Sequence, residues 1–155
     1  MSNEEKIKAL RYAYRILDIR PRTFFEMEQK LKKRGLNEET IKDIIKELKE
    51  QNLLNDKKFA DLWIKEKIQR HPSGRLLIFK QLTERGVRRE IIEETLEKLL
   101  PLSKEIKLAK EVLMKKKKTL KRENLSPNKL YQKLAIFLKG KGFTGEAVGE
   151  VLERE

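Results

Sequence analysis

The stretch Leu31-Lys32-Lys33-Arg34-Gly35-Leu36 returns as Leu82-Thr83-Glu84-Arg85-Gly86-Val87, 51 residues later, and as Leu138-Lys139-Gly140-Lys141-Gly142-Phe143, a further 56 residues on. Flanking positions keep step: Ala9 maps to Ala60, Ile41 to Ile92 to Val148, and Ile45 to Leu96 to Leu152. Recurrence over tens of residues marks stacked supersecondary units, each too small to bury its own apolar face completely. The sequence therefore predicts an all-α chain of three tandem three-helix repeats, at residues 1–54, 55–101 and 102–155, in an elongated and curved array.

Local signals fill in each repeat. After Gly35, apolar residues fall at Ile41, Ile44, Ile45 and Leu48, one face of a 3.6-residue period. Asn37 is the expected N-cap, and Glu38 and Glu39 complement the positive end of the helix dipole. Upstream, Thr23-Phe24-Phe25-Glu26 reads as a capping box. Gly35, Gly86 and Gly142 are expected to end helices, because glycine accepts the left-handed conformation of a C-terminal cap. In the second repeat Asp56 begins a helix through Phe59, Ala60, Trp63 and Ile64, and Ser73 is expected to cap the next. In the third, Ser126-Pro127 supplies an N-cap followed by proline at the first helical position, and Thr144 caps the last helix.

The third repeat departs from its sisters in one place. Ala9 precedes Leu31 by 22 residues and Ala60 precedes Leu82 by 22, but Ala109 precedes Leu138 by 29. The seven extra residues lie around Lys115-Lys116-Lys117-Lys118-Thr119-Leu120-Lys121-Arg122. Charge concentrates there too. Residues 1–100 carry 24 Lys and Arg against 18 Asp and Glu, whereas residues 101–143 carry 13 against 3, so most of the net charge of +13 comes from the shorter segment. A local excess of this size attracts polyanions, most simply nucleic acid, or an acidic protein surface. Lys115, Lys116, Lys117, Lys118, Lys121 and Arg122, with Lys139 and Lys141, are the expected contact residues.

Composition narrows the function classes. The absence of cysteine removes disulfides, thiolate nucleophiles and cysteine-ligated metal sites, and fits a reducing compartment such as the cytoplasm. The N-terminus lacks a basic segment followed by an apolar one, and no apolar run approaches the ~20 residues that span a bilayer. Neither secretion nor membrane spanning is expected.

No catalytic constellation emerges. Gly140-Lys141-Gly142-Phe143-Thr144-Gly145 satisfies G-x-G-x-x-G literally, but that fingerprint needs a preceding strand, and here a helix precedes it. His71, the single histidine, sits in an interhelical loop with no nucleophile or carboxylate brought to it by spacing. Pairs such as Glu38-Glu39 and Glu93-Glu94 belong to solvated helix faces rich in lysine. Phe59, Trp63 and Phe79 have the spacing of core residues rather than base-stacking platforms. The expectation is a protein that is not an enzyme and uses no cofactor or metal.

Three segments resemble a known family. Arg20-Pro21-Arg22-Thr23-Phe24-Phe25-Glu26-Met27 with Lys30-Leu31, then Leu53-Leu54-Asn55-Asp56-Lys57-Lys58-Phe59-Ala60-Asp61-Leu62-Trp63-Ile64, then Gly74 with Gln81-Leu82-Thr83-Glu84-Arg85-Gly86-Val87, are similar to the RecX family, from about Ala9 to Leu152. The resemblance implies a regulator of the RecA recombinase in DNA repair, homologous recombination and the SOS response. Members bind RecA filaments on DNA and generally suppress ATPase, strand-exchange and co-protease activity. It implies a cytoplasmic monomer whose partners are the RecA filament and DNA, held without sequence preference. Two other readings stay open: a free-standing DNA-binding protein of helix-turn-helix type, and a helical-repeat adaptor without nucleic acid. The acidic third helices, with Asp43, Glu47 and Glu50 or Glu90, Glu93, Glu94 and Glu97, argue against a recognition helix.

Overall fold

The computed structural model of the protein describes residues 3–153. Among the described residues there are nine α-helices, one short 3-10 helix and no strand. They are α1 (Asn3–Ile19), α2 (Phe24–Lys33), α3 (Glu38–Glu50), α4 (Asp56–Gln69), α5 (Arg75–Glu84), α6 (Arg89–Leu99), α7 (Leu102–Leu120), the 3-10 turn Lys121–Glu123, α8 (Pro127–Gly140) and α9 (Gly145–Glu153). The most extensive helix pairings, α4 with α6 and α7 with α9, then α2 with α3 and α7 with α8, each fall within one three-helix unit.

The recurring hexapeptide is a helix stop. Gly35, Gly86 and Gly142 have φ of 80°, 82° and 84°. At each, the glycine amide donates back to the residue three before it, and the next residue's amide reaches the leucine five before. Thus Leu36 N–H meets Leu31 O at 3.4 Å, Val87 meets Leu82 at 3.0 Å and Phe143 meets Leu138 at 3.2 Å. These paired bonds satisfy carbonyls that a helix end leaves bare, and the first and last residues of each motif join the same apolar cluster. Leu31, Leu82 and Leu138 are fully buried, which explains why leucine and glycine recur together.

The other ends follow local chemistry. Thr23 and Glu26 form the reciprocal capping box of α2, Asn37 caps α3, Ser126 caps α8 ahead of Pro127, and Thr144 Oγ1 accepts from the Ala147 amide of α9. Ser73 is a correction. The N-cap of α5 is Gly74, without a side-chain bond, and the Ser73 hydroxyl donates instead to the His71 carbonyl at 2.8 Å. The reason is crowding at the next repeat: a Cβ on Gly74 would collide with the Gly142–Phe143 backbone, so the chain passes too close for a capping side chain.

The core is divided unevenly. The first repeat has its own, with Ala9, Ala13, Met27, Leu31, Ile44 and Leu48 at its centre. The second and third share one continuous cluster running from Phe59 and Ile64 through Ile78 and Ile92 to Leu113, Leu138 and Leu152. Phe59 is buried, and Trp63 and Phe79 pack partly buried against this cluster, as their spacing predicts.

Adjacent repeats join by one device used twice. The start of a repeat's middle helix abuts the glycine turn of the following repeat, and a carboxylate from that repeat's first helix caps it. At the first joint the Phe24 amide donates to Asp56 Oδ1 at 3.0 Å, and the Thr23 hydroxyl donates to the Arg85 carbonyl at 2.6 Å. At the second, the Arg75 amide donates to Glu105 Oε2 at 3.0 Å, while the Gly74 and Leu76 amides donate to the Lys141 and Gly142 carbonyls, both at 2.9 Å.

Candidate nucleic-acid interface

Helix α7 carries the basic run in the gap between its buried apolar positions. Leu108, Ala109, Val112 and Leu113 are buried against α8 and α9 and Leu120 is buried at the helix end, leaving Lys115 to Lys118 on the turns between. Those turns are the seven-residue insertion. The extra length extends α7 to Leu120, and Lys121–Glu123 then coils into the 3-10 turn. Asn124 reverses the chain with a left-handed φ of 50°. Lys133 of α8 closes this return with an ion pair to Glu123 at 2.8 Å.

Consecutive lysines on a helix point about 100° apart, so the run cannot act as one patch. Lys115 and Lys116 turn toward α8, where they meet Lys141 at its C-cap. With Pro72, Val112, Thr119 and Phe137 they line a groove of about 250 Å³ that has no acidic residue in its lining. Lys116 Nζ stands 4.6 Å and Lys141 Nζ 5.8 Å from the centre of the Phe137 ring. Lys117, Lys118, Lys121 and Arg122, and Lys139 on α8, are not part of this lining. Val112, Thr119 and Phe137, with Pro72 contributed from the second repeat, are the members that the sequence did not mark as contacts. The usable signal was the repeat alignment, which sets Phe137 beside Leu138 of the glycine motif.

The sister repeats have a different arrangement at the matching place. Each middle helix ends in a basic C-cap residue, Arg34, Arg85 or Lys141. Arg34 lies 4.2 Å above the Tyr12 ring and Arg85 lies 4.0 Å above the Trp63 ring, both rings coming from the first helix of the repeat. Trp63 is further fixed by donating its indole N–H to Gln81 Oε1 at 3.1 Å. Counting from Ala60 and Ala109, the third-repeat equivalent of Trp63 is Val112, and counting from Leu82 and Leu138, the equivalent of Gln81 is Phe137.

Two carboxylates are buried at the joints rather than in the groove. Burial pushes the Asp56 carboxyl above its ordinary value, against the opposing pull of the Phe24 amide and of Arg88. Glu105 is fully buried and accepts from the Arg75 and Thr144 amides and the Thr144 hydroxyl, the last at 2.6 Å. Their partners are backbone and hydroxyl groups, which makes them structural caps. The third helix of the third repeat offers no cationic face for a major groove: α9 bears Glu146, Glu150 and Glu153 and no basic residue. The G-x-G-x-x-G match is the helix stop at Gly142 followed by the start of α9. No helix among the described residues is long and apolar enough to cross a membrane.

Comparison with known proteins agrees with the three-unit plan. Residues 9–48, 55–96 and 103–152 match the family models described as the first, second and third three-helix domains of RecX. The chain is 34% identical to the regulatory protein RecX of Clostridium perfringens over 156 residues, covering 99% of this chain and 71% of that protein. It is 33% identical to the regulatory protein RecX of Chlorobaculum tepidum, covering 99% and 91%. The crystal structure of RecX from Lactobacillus salivarius superposes with a TM-score of 0.80 over 99% of this chain and 97% of that one, a likeness of fold at 24% identity.

Proposed function

The chain belongs to the RecX family, non-enzymatic regulatory proteins that modulate RecA, and from that premise we propose that it binds RecA filaments on DNA and inhibits their ATPase, strand-exchange and co-protease activities. The observation that carries the proposal is the division of labour along the array. Three units are linked in tandem, and one of them carries an acid-free groove rimmed by three lysines.

Covalent linkage converts successive weak contacts with neighbouring filament subunits into intramolecular events at high effective concentration, so a monomer suffices. The third repeat adds electrostatic affinity for DNA phosphates. Lysine supplies charge without base readout, so this affinity carries no sequence preference. Working on RecA and DNA places the protein in the cytoplasm.

The test is the rate of RecA ATP hydrolysis on single-stranded DNA, titrated with the intact protein and with a Lys115→Gln, Lys116→Gln, Lys141→Gln variant. Inhibition by the intact protein at less than one copy per RecA, with the variant requiring more protein, is the expected result. Retained DNA affinity with no effect on the ATPase would favour a free-standing DNA-binding protein instead.

A further inference from the structure

The third repeat lacks the half-buried ring that its sisters carry on their first helix, and the space is open. In the first two repeats the C-cap guanidinium closes over an aromatic side chain of the first helix, leaving a packed stack of cation, ring and helix. In the third, valine replaces that ring, the C-cap residue is a flexible lysine 5.8 Å from its ring, and the ring belongs to α8. What results is the groove of about 250 Å³ between α7 and α8. Its floor is apolar and aromatic, through Val112 and Phe137, and its rim is cationic.

We propose that this groove holds one unpaired base of a single-stranded nucleic acid against Phe137, with the flanking phosphates on Lys115, Lys116 and Lys141. The inference rests on the nucleic-acid reading above and adds selection for single strands. An aromatic floor beside three cations and no carboxylate matches a ligand that is both planar and anionic. An acidic peptide would satisfy the lysines but has no comparable claim on the ring. A duplex keeps its bases stacked and paired, so it can reach the rim but not the floor.

Phe137 is half-buried, and Lys116 lies over its ring. Lys116 is half-buried, and a base can displace its ammonium because a stacked base contributes more than one lysine over the ring. The released Lys116 then meets the adjoining phosphate. The Thr119 hydroxyl donates its hydrogen to the Lys115 carbonyl at 3.2 Å and keeps only its acceptor lone pairs, so affinity here comes chiefly from stacking and charge. Single strands of different sequence should therefore bind alike.

The experiment is fluorescence anisotropy of a labelled thymidine oligonucleotide and of a duplex of the same length, with the full chain and three variants. Phe137→Leu keeps the apolar packing and removes the ring. Val112→Trp fills the groove with the side chain that the second repeat carries at that position. Each should weaken single-strand binding roughly five- to a hundredfold, the range expected for removing one base–ring stack, and leave duplex affinity within about twofold. Lys115→Gln, Lys116→Gln, Lys141→Gln should weaken both and flatten their salt dependence. Because Val112 is buried and its variant can fail to fold, Phe137→Leu decides alone if the circular dichroism of Val112→Trp is altered.

Unchanged single-strand affinity in Phe137→Leu overturns the base slot while leaving the basic rim intact. Equal loss for both nucleic acids also overturns it. If Phe137→Leu abolishes capture of DNA-free RecA and spares DNA binding, the groove belongs to the protein partner and the proposal fails. A wild-type protein that binds neither nucleic acid removes the parent reading as well.

Discussion

The backbone amide of Phe24, the first residue of α2, donates to the Asp56 carboxylate at 3.0 Å, so the middle helix of one repeat is capped by the first residue of the next repeat's leading helix. The second joint repeats the relation with Arg75 and Glu105. Glu105 reaches further, bridging the start of α5 to Thr144 at the start of α9. Exposed helix N-termini ordinarily cap themselves or use water. Here α2 also caps itself through Thr23 and Glu26, and the neighbour's carboxylate supplies a further acceptor that ties one repeat to the next.

Removing the acceptor should therefore cost more than removing the charge. Asp56→Ala leaves the Phe24 amide without a partner at a packed joint and should destabilise by about 1–3 kcal/mol. Asp56→Asn keeps an oxygen for that amide, sheds the penalty of a buried charge and should be nearly neutral. Glu105→Ala strands three donors and should cost about 3 kcal/mol or more. Urea unfolding measures all three, and equal losses for the two Asp56 variants would show that charge, not hydrogen bonding, holds the joint.

The three turn glycines should respond unequally to alanine. All have positive φ, which costs an L-residue about 1–2 kcal/mol. At Gly35 a Cβ meets nothing within 4 Å, so that strain is the whole cost. At Gly142 it would strike the backbone and Cβ of Leu77, and at Gly86 the Phe25 side chain, so both variants must also spread a joint. Gly142→Ala should lose about 3 kcal/mol or more in thermal or urea melts, clearly above Gly35→Ala.

Acid should act on Glu26 and Asp56 with opposite sign. Burial works against the Glu26 carboxylate, but Arg20 at 2.7 Å and the Thr23 amide outweigh it and hold its pKa below the ordinary 4.5. Its stabilisation is present above that value and is lost as pH falls through the lowered pKa. Asp56 titrates above its ordinary 3.8, so protonation favours the folded chain and its contribution declines as pH rises through the raised pKa. Urea midpoints between about pH 3 and 7 should fall less on the acid side in Glu26→Gln and more in Asp56→Asn. Parallel curves for both variants and the parent would contradict this.

Salt should separate the groove lysines from the rest of the run. Every single-strand phosphate that a lysine no longer neutralises takes about 0.7 from the slope of log affinity against log salt. Neutralising Lys115, Lys116 and Lys141 together should therefore reduce the slope by about two. Neutralising Lys118, Lys121 and Arg122, which lie outside the groove lining, should reduce it less. Binding isotherms across a salt series decide the matter, and equal reductions would mean that the charge acts as a diffuse field.

Much of this molecule was legible in one dimension because its determinants are local. A helix stop needs a leucine, a glycine and a following apolar residue within six positions, and Leu31-Gly35-Leu36 and its two copies carry that requirement visibly. The capping box at Thr23 and Glu26 and the proline after Ser126 are equally short-range. Family resemblance followed from the same recurring blocks. Even the joints left a trace, since Asp56 and Glu105 each stand four residues before Ala60 and Ala109.

What the sequence could not decide was which distant groups meet. Ser73 looked like a helix cap, yet the Lys141–Phe143 turn lies against the same place and leaves room only for Gly74. Eight basic residues were expected contacts without an assigned face; a helix turns each lysine about 100° from the last, and of the eight only Lys115, Lys116 and Lys141 line one groove. The ring at its floor could be aligned but not placed: Phe137 stands where Gln81 stands in the second repeat, and only packing α7 against α8 brings it beside Val112. Local hydrogen bonding writes helices and their ends into the sequence, whereas a binding groove is the gap between two helices and exists only once they pack.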